Sequence, residues 1–280
     1  MKISYEDLYR LQETWTKNNW AENVNEKNAF SAFCEVLPHF SEQQRDLIHE
    51  LTERYLWLSA REYEERFDRI LNSIDQSALD KCSRLYLFPI IKREDEHQIK
   101  SGTHCIYYFK GTIISLNPKF QDLDIILIPN YTELESTKFQ NDGTDILLLI
   151  DDFIGSGDTF DQAWTEIKKN TTVSIDFIHV LSLALQADAF KTIKDLGFKL
   201  YFTEIRNRGI SDYYSMDKEE KIKLMEEIEN IINPPAFCSF GYKSSEALIT
   251  LMRTPDNTFP FFWMKYELGS KSLKAPFYRK

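Results

Sequence analysis

The sequence predicts an α/β fold in which a parallel sheet is flanked by helices and follows a helical N-terminal region. Apolar residues recur at helical spacing up to about Asp80. After Asp80, short apolar runs alternate with polar or helical stretches, and residues 146–150 are apolar without interruption. Such alternation is typical of strands and helices that succeed one another in a parallel sheet covered on both faces.

The N-terminal region, residues 1–80, is expected to consist of helices. Leu47, Leu51 and Leu58 lie on one face of a helical pattern whose other face is charged. Ser41 stands before three polar residues and this apolar stripe, as a helix N-cap does. We interpret the region as a structural helical cap.

An α/β core is predicted for residues 81–232. Its strands are predicted at residues 85–91, 124–128, 145–150, 174–183 and 199–205. Its helices are predicted at residues 102–110, 159–170, 187–197 and 218–232. Gly197 occupies the position of a helix C-terminal glycine. The Asn-Pro-Pro at 233–235 ends the last helix, and residues 233–280 are expected to form a C-terminal segment that packs on the core.

Composition and charge exclude several classes of protein. The 280 residues carry a net charge of -10, which gives no general attraction to nucleic acid or to an anionic membrane. Direct nucleic-acid binding through a local basic groove stays open. The N-terminus has charges throughout and no apolar segment of the kind found in signal peptides or membrane spans, so a cytoplasmic location is expected. The spacing of the cysteines and histidines fits neither a zinc site nor a disulfide framework, and the cysteines are expected to be buried free thiols.

Residues 146–159 carry the strongest functional signal. The apolar run predicts a central strand, and Asp151 and Asp152 follow it at the carboxyl end, where ligands bind in open α/β sheets. A loop of mostly small and hydroxyl residues then leads into a helix, so backbone N–H groups and the helix N-terminus can converge on one anion. This loop is formed by Gly155, Ser156, Gly157, Asp158 and Thr159. We expect the two acids to accept hydrogen bonds from ribose hydroxyls while the loop holds a 5′-phosphate; the alternative is an ordinary buried strand, an Asp-Asp turn and a capped helix.

This run resembles the phosphoribosyl pyrophosphate signature of type I phosphoribosyltransferases. The resemblance lies in an apolar strand, two acids, two apolar residues and a small-residue loop that ends in Thr159. No Gly-Lys-Ser/Thr follows, as it would in a Walker A loop, and the acids precede the glycines, unlike those of a dinucleotide fingerprint. Asp158 departs from the signature, because many members have a small residue there. A carboxylate beside a phosphate is repulsive unless it points away or a cation intervenes.

The resemblance also implies roles for two other loops, and a third is a candidate because it follows the strand predicted at 199–205. The pyrophosphate loop would follow the strand at 85–91, where Ser101 and Gly102 could begin a helix over the diphosphate; Ser101 as a plain N-cap is the alternative. Residues 130–143 correspond to a mobile hood loop that closes over substrate, or are a solvent-exposed connector. Two arginines, Arg206 and Arg208, could meet a phosphate or lie in a solvated loop.

The C-terminal segment resembles a narrower group, the PRTase-CE proteins. Phe240-Gly241-Tyr242-Lys243 and the run at 254–263, which ends in Trp, carry this resemblance, and Asp256 replaces the usual first Asn. Asn257 is expected to stabilise a rigid turn. The resemblance implies a type I phosphoribosyltransferase-like fold with a hood-like C-terminal segment. It also implies a role in prokaryotic conflict and antiphage systems, some of them retron-type, whose partners include a reverse transcriptase with its DNA or a DNA-binding protein.

Two functions follow from the sequence and its resemblance. The first is a phosphoribosyltransferase-like enzyme, a glycosyl-transferring or nucleotide-hydrolysing effector that acts on phosphoribosyl pyrophosphate or a nucleotide. Asp151 and Asp152 would position ribose and stabilise developing positive charge, and Mg²⁺ would be bound on the substrate's diphosphate. The alternative is a non-catalytic ribose-phosphate sensor that acts through partner proteins. Retention of both acids favours the enzyme, and Asp158 favours the sensor.

Overall fold

The computed structural model of the chain describes residues 2–169, 172–268 and 271–279. The chain divides into two compact units, which we call the helical unit (Met1–Arg61 with Arg206–Lys280) and the sheet unit (Glu62–Ile205). These boundaries differ from the predicted ones at 80 and 232. The difference arises because the N-terminal helices and the C-terminal segment bury their apolar side chains in one common core.

The regular elements of the described residues are as follows. The helices are α1 (Tyr5–Lys17), α2 (Glu26–Val36), α3 (Glu42–Glu53), α4 (Ala60–Ser73), α5 (Gln76–Leu79), α6 (Ser101–Tyr108), α7 (Ile114–Leu116), α8 (Tyr131–Ser136), α9 (Asp158–Ile167), α10 (Ala187–Asp195), α11 (Lys218–Ile232) and α12 (Pro260–Trp263). The strands are β1 (Leu56–Trp57), β2 (Arg84–Pro89), β3 (Asp124–Leu127), β4 (Asp145–Ile154), β5 (Ile178–Gln186), β6 (Lys199–Arg206), β7 (Ile249–Thr250), β8 (Tyr266–Leu268) and β9 (Lys271–Leu273).

A five-stranded sheet in the order β3-β2-β4-β5-β6 confirms the predicted α/β class. β2 pairs in parallel with β3 and with β4, and β4 pairs in parallel with β5. β4 lies at the centre, and every one of its residues is buried. One apolar cluster joins the sheet to α8, α9 and α10, and it includes Leu147, Leu149, Phe160 and Ile193. The central strand is therefore covered as its uninterrupted apolar run predicts.

The predicted strands and helices of the sheet unit are present, but several of their ends differ and α7 and α8 were not predicted; the strand predicted at 174–183, for example, is β5 at Ile178–Gln186. β4 continues to Ile154, so the predicted end of this strand at residue 150 is wrong. The helix predicted at 102–110 begins as α6 and then passes through a π-helical turn, Phe109–Ile113, into α7. Residues 130–143 contain α8, because Asn130 caps this helix by accepting a hydrogen bond from the Glu133 N–H at 2.9 Å. The last residue of the helix predicted at 159–170 lies outside the described residues.

The helical unit is held together by an aromatic core. Its N-terminal helices contribute Trp15, Trp20 and Phe33, and its C-terminal segment contributes Phe262 and Phe277. The parallel pair of β1 and β7 joins the two parts of the chain. Ser41 and Gln44 form a capping box at the start of α3, which confirms the predicted N-cap. This shared core explains why the C-terminal segment belongs with the N-terminal helices.

The C-terminal run packs tightly against the Gly241 turn. Gly241 has φ of 78°, and a Cβ at this position would lie 1.9 Å from the carbonyl oxygen of Asn257. Asn257 is buried, and its side-chain amide donates to Ser245 Oγ at 2.8 Å. Asn257 thus stabilises a turn, in agreement with the sequence-based interpretation.

The polar groups of the sheet and the cysteines are mostly buried. All four cysteines are free thiols, three of them buried as predicted and Cys34 partly exposed. His179 on β5 is 1% exposed, and neither of its ring nitrogens has a hydrogen-bond partner among the described residues. Burial, together with the charge of Lys199, lowers the pKa of His179 to about 4.

Among the described helices, none has the length and apolar character needed to cross a membrane.

Replacing Gly241 with Ala is expected to destabilise the protein much more than the same change at Gly197. Gly197 also has positive φ, at 91°, but no atom lies within 4 Å of its missing Cβ. Gly197→Ala should cost about 1 kcal/mol through backbone strain alone, whereas Gly241→Ala adds a collision with backbone and should cost roughly 3 kcal/mol or more. Urea denaturation measures both changes, and equal losses would contradict the close packing at Asn257.

His179→Leu is expected to remove part of the acid sensitivity of folding. The unfolded-state pKa of this histidine is 6.5 and the folded-state value is about 4, so protonation below pH 6.5 favours the unfolded chain. Between pH 7 and pH 5 the wild type should lose about 2 kcal/mol more than the variant in free energy of unfolding. Urea denaturation at both pH values gives this difference, and parallel pH profiles would show that His179 is not titrating as its burial requires.

Candidate functional site

The two candidate acids lie inside the paired end of β4. Asp151 and Asp152 are 7% and 6% exposed, and Asp151 stands in register with Ser182 of β5. The predicted strand ended at residue 150, just before them, whereas β4 continues through both acids to Ile154. Their position in a paired strand fixes their backbone before any ligand arrives.

Asp151 is held by the beginning of α6. Its Oδ1 accepts hydrogen bonds from Ser101 Oγ at 2.6 Å and from the backbone N–H of Asp152 at 2.9 Å. Lys100, rather than Ser101, is the N-cap residue of α6, so the alternative of Ser101 as a plain N-cap is wrong. The structure thus brings Ser101, predicted from a separate loop, into direct contact with the acidic pair.

Gly102 allows α6 to begin so close to the sheet. A Cβ at this position would lie 3.0 Å from the carbonyl oxygen of Ile150 and 3.1 Å from the backbone nitrogen of Ile90. These atoms belong to β4 and to the end of the neighbouring strand β2. A residue without a side chain is therefore suited to this position, and the helix N-terminus approaches the same sheet edge as the acids.

Asp152 is held by a tyrosine for which no role was predicted. Tyr63 on α4 donates a hydrogen bond from its hydroxyl to Asp152 Oδ2 at 2.6 Å, and it is 4% exposed. Burial, and then the negative charge of Asp152, raises the pKa of Tyr63 well above its usual range. The hydroxyl therefore keeps its proton and remains a donor. In the sequence, Tyr63 shares an apolar helical stripe with Phe67 and Ile70, so no local signal separates it from a core residue.

Cys105 lies one turn along α6 from Ser101 and completes the buried surroundings of the acids. Its thiol is 4.0 Å from the Tyr63 hydroxyl, and the residue is 0% exposed. Burial, followed by the charges of Asp152 and Asp151, raises the pKa of Cys105 well above its usual range. The thiol is consequently uncharged at neutral pH, and it fills space rather than acting as a nucleophile.

The loop after β4 turns sharply into α9. Gly157 has φ of 82°, a left-handed conformation that favours glycine, and it precedes the first residue of the helix. Its carbonyl oxygen accepts the Asp161 N–H at 2.9 Å. The N–H groups in the first turn of a helix have no acceptor within that helix. Gly155, Ser156, Gly157 and Thr159 consequently form a turn suited to an anion, next to the acids along the chain.

Lys92 follows β2 and forms an ion pair with Asp158, the acid that departs from the signature. The Lys92 ammonium nitrogen lies 3.5 Å from Asp158 Oδ2, so a cation stands beside the carboxylate that departs from the signature. Arg93 in the same loop forms ion pairs with Glu135 on α8 and Glu166 on α9. The arginine therefore ties helices of the sheet unit together.

Arg206, at the end of β6, and the loop that follows it form hydrogen bonds within the helical unit. The Arg206 guanidinium donates to the carbonyl oxygens of Arg54 and Leu248. The backbone N–H of Arg208 donates to Asp212 Oδ2 at 2.9 Å. These contacts favour the structural interpretation of this loop over a phosphate site.

The electrostatics of the acidic pair are unusual for aspartates. Burial, and then the neighbouring charge of Asp152, raises the pKa of Asp151 well above its ordinary value. Two adjacent carboxylates in a site with little water resist simultaneous ionisation. A ligand that donates hydrogen bonds or carries positive charge would relieve this repulsion. Within the described residues, no group of three or more His, Cys, Asp and Glu side chains could hold a metal ion.

One of three comparisons with known proteins, the match to a family model, agrees with the resemblance found in the sequence. The family model described as PRTase-CE matches residues 15–271, a range that includes the acidic pair, Ser101 and the Gly241 turn. A solved structure similar to this chain is the purine phosphoribosyltransferase from Pyrococcus horikoshii Ot3, with 11% sequence identity and a TM-score of 0.28. The alignment covers 54% of this chain and 86% of that chain. The comparison with curated proteins finds no match.

Asp151→Asn is expected to stabilise the folded protein at neutral pH. An asparagine oxygen can accept the same bonds from Ser101 and the Asp152 N–H, while the buried charge is removed. The wild-type penalty is absent below the unfolded-state pKa, 3.8, and grows as the pH rises through the elevated folded-state pKa. At pH 7.5 the gain should be on the order of 2 kcal/mol.

Thermal and urea denaturation of the wild type and Asp151→Asn at pH 7.5 and pH 4 measure this effect. Asp124→Asn is a suitable control, because Asp124 is exposed at the start of β3. A variant less stable than the wild type at pH 7.5 would show that the Asp151 charge is well accommodated.

Proposed function

Because the chain belongs to the PRTase-CE family and is phosphoribosyltransferase-like, we propose that it binds phosphoribosyl pyrophosphate or a nucleotide at the carboxyl end of β4. The observation that carries this proposal is the junction of the acidic pair and the anion-suited turn on one strand and its loop. Vicinal ribose hydroxyls donate hydrogen bonds, which carboxylates accept. The 5′-phosphate would meet the N–H groups of the turn.

The arrangement supports glycosyl transfer in particular. In such a reaction the bond between the ribose anomeric carbon and the leaving oxygen breaks, and the acceptor forms a new bond at that carbon. The diphosphate leaves with the bonding electron pair, and positive charge develops on the ring. Asp151 and Asp152 would stabilise that charge from a buried position, where electrostatic interactions are stronger than in water.

The residues at this edge also fit a cation brought by the substrate. Mg²⁺ prefers oxygen ligands and commonly binds substrate phosphates with only one or two carboxylates from the protein. The oxygens of Asp151 and Asp152 are donors of the required kind. When bound to the diphosphate, the cation would neutralise charge on the leaving group.

The proposed cellular role is that of an effector in an antiphage defence system of the cytoplasm. The resemblance of the signature and the C-terminal run to PRTase-CE proteins supports this role. The proposed partners are a reverse transcriptase with its DNA, or a DNA-binding protein. As an effector, the enzyme would deplete or modify a nucleotide, nucleic acid or protein.

A non-catalytic sensor is the second candidate, and specific contacts favour it. Both acids already accept hydrogen bonds from protein hydroxyls, and Lys92 is paired with Asp158. A ribose phosphate that binds here would replace these protein partners. It would thereby release contacts made by α4, α6 and the loop after β2. Such exchange can alter the contacts of a protein without chemistry.

Incubation with phosphoribosyl pyrophosphate, Mg²⁺ and nucleotides tests both candidates. The enzyme should release pyrophosphate or free base, and Asp152→Asn should lower that rate by about a hundredfold or more, because it removes a charge from the transition state. Asp124→Asn, at the opposite end of the sheet, should leave the rate unchanged. Calorimetric binding without turnover would identify the sensor, and absence of binding to the wild type would refute both.

A further inference from the structure

The ion pair between Lys92 and Asp158 joins two loops of the proposed site. Lys92 follows β2, and Asp158 is the first residue of α9 after the anion-suited turn. Their charged atoms are 3.5 Å apart, and the side chains are 25% and 21% exposed. The same carboxylate oxygen accepts a hydrogen bond from Gln162 Nε2 at 3.0 Å. The pair is thus partly shielded from water, and it lies beside the start of α9.

The other cations of the loop after β2 have different partners. Lys100 lies 3.1 Å from Asp95, and Arg93 is paired with Glu135 and Glu166. Lys92 therefore differs from these two cations, because its acidic partner belongs to the loop that would hold a phosphate. Asp158 is the acid that is paired with Lys92.

We propose that a phosphate group of the ligand displaces Asp158 from Lys92, so that the opening of this ion pair lowers the affinity of the site. The inference rests on the proposed function. A partly exposed ion pair is worth little, whereas a phosphate carries more negative charge and three acceptor oxygens. Exchange is therefore favourable, but its cost lowers the affinity for any phosphorylated ligand. The phosphate group that binds Lys92 is either the 5′-phosphate or the diphosphate of the ligand.

The pair also explains how the turn tolerates an acid. Without Lys92, the Asp158 carboxylate would repel an incoming phosphate. Lys92 beside it offsets that charge, and the lysine becomes a phosphate ligand once the pair opens. Asp158, which departs from the signature, thus adjusts the strength of phosphate binding.

Asp158→Asn tests the exchange, with Asp161→Asn as the matched control. Both acids lie in the first turn of α9, and the contact at 3.5 Å with Lys92 belongs to Asp158. In calorimetry with phosphoribosyl pyrophosphate and Mg²⁺, Asp158→Asn should bind about fivefold more tightly, equivalent to about 1 kcal/mol. Asp161→Asn should change the affinity less than about twofold.

A double variant that also replaces Lys92 separates the exchange of ion-pair partners from simple removal of the Asp158 charge. Adding Lys92→Met to Asp158→Asn should weaken binding at least about tenfold, because a charged hydrogen bond to phosphate is lost. Lys110→Met in the same background is the control, since Lys110 is exposed on the π-helical turn. Parallel titrations with ribose 5-phosphate and with inorganic pyrophosphate show which phosphate takes the lysine.

The outcomes distinguish the two proposals. If the wild type binds no phosphoribosyl ligand, and Asp158→Asn binds none either, the proposed function fails and this inference fails with it. If the wild type binds but Asp158→Asn binds no more tightly, only the exchange is refuted. The exchange is also refuted if the Lys92→Met double variant binds as tightly as Asp158→Asn, since Lys92 then never contacts the ligand.

Discussion

Burial of two adjacent carboxylates at the end of β4 constrains the elements packed around them. A buried carboxylate is costly unless hydrogen-bond donors surround it. Neighbouring residues of a strand direct their side chains to opposite faces, so the acids take hydrogen bonds from different helices. Tyr63 on α4 and Ser101 on α6 supply them. These contacts fix the start of α6 at the sheet edge, where Gly102 leaves room for it.

The same constraint links stability to the proposed function. The pKa of Asp151 is raised because the folded state holds its charge poorly, and proteins retain such unfavourable charges mainly where a ligand or a reaction uses them. A ribose whose hydroxyls donate to the pair would offset part of this cost. The Asp151 charge thus destabilises the folded protein, and it would be complementary to the electron-poor sugar ring of the proposed ligand.

Local patterns in the sequence predicted the strands of the sheet and the turn that leads from β4 into α9. They failed where the result depended on distant residues. Asp151 and Asp152 look like a turn until pairing with β5 extends the strand. Tyr63 looks like a core residue until Asp152 lies beside it. The shared core of the N-terminal helices and the C-terminal segment has no local signature either, so the unit boundaries differed from those expected.

The division between fixed and exchangeable parts of the site follows from these contacts. Paired backbone and the hydroxyl donors Tyr63 and Ser101 hold the acids, so little conformational entropy would remain to be lost if a sugar binds as proposed. Lys92 and Asp158 are partly exposed and joined only through their side chains, so they can change partners without disturbing the sheet. In the proposed site, affinity could therefore be adjusted at the loop before α9 while the geometry around the sugar stays constant. For that reason an acid at position 158 is compatible with the proposed phosphate binding.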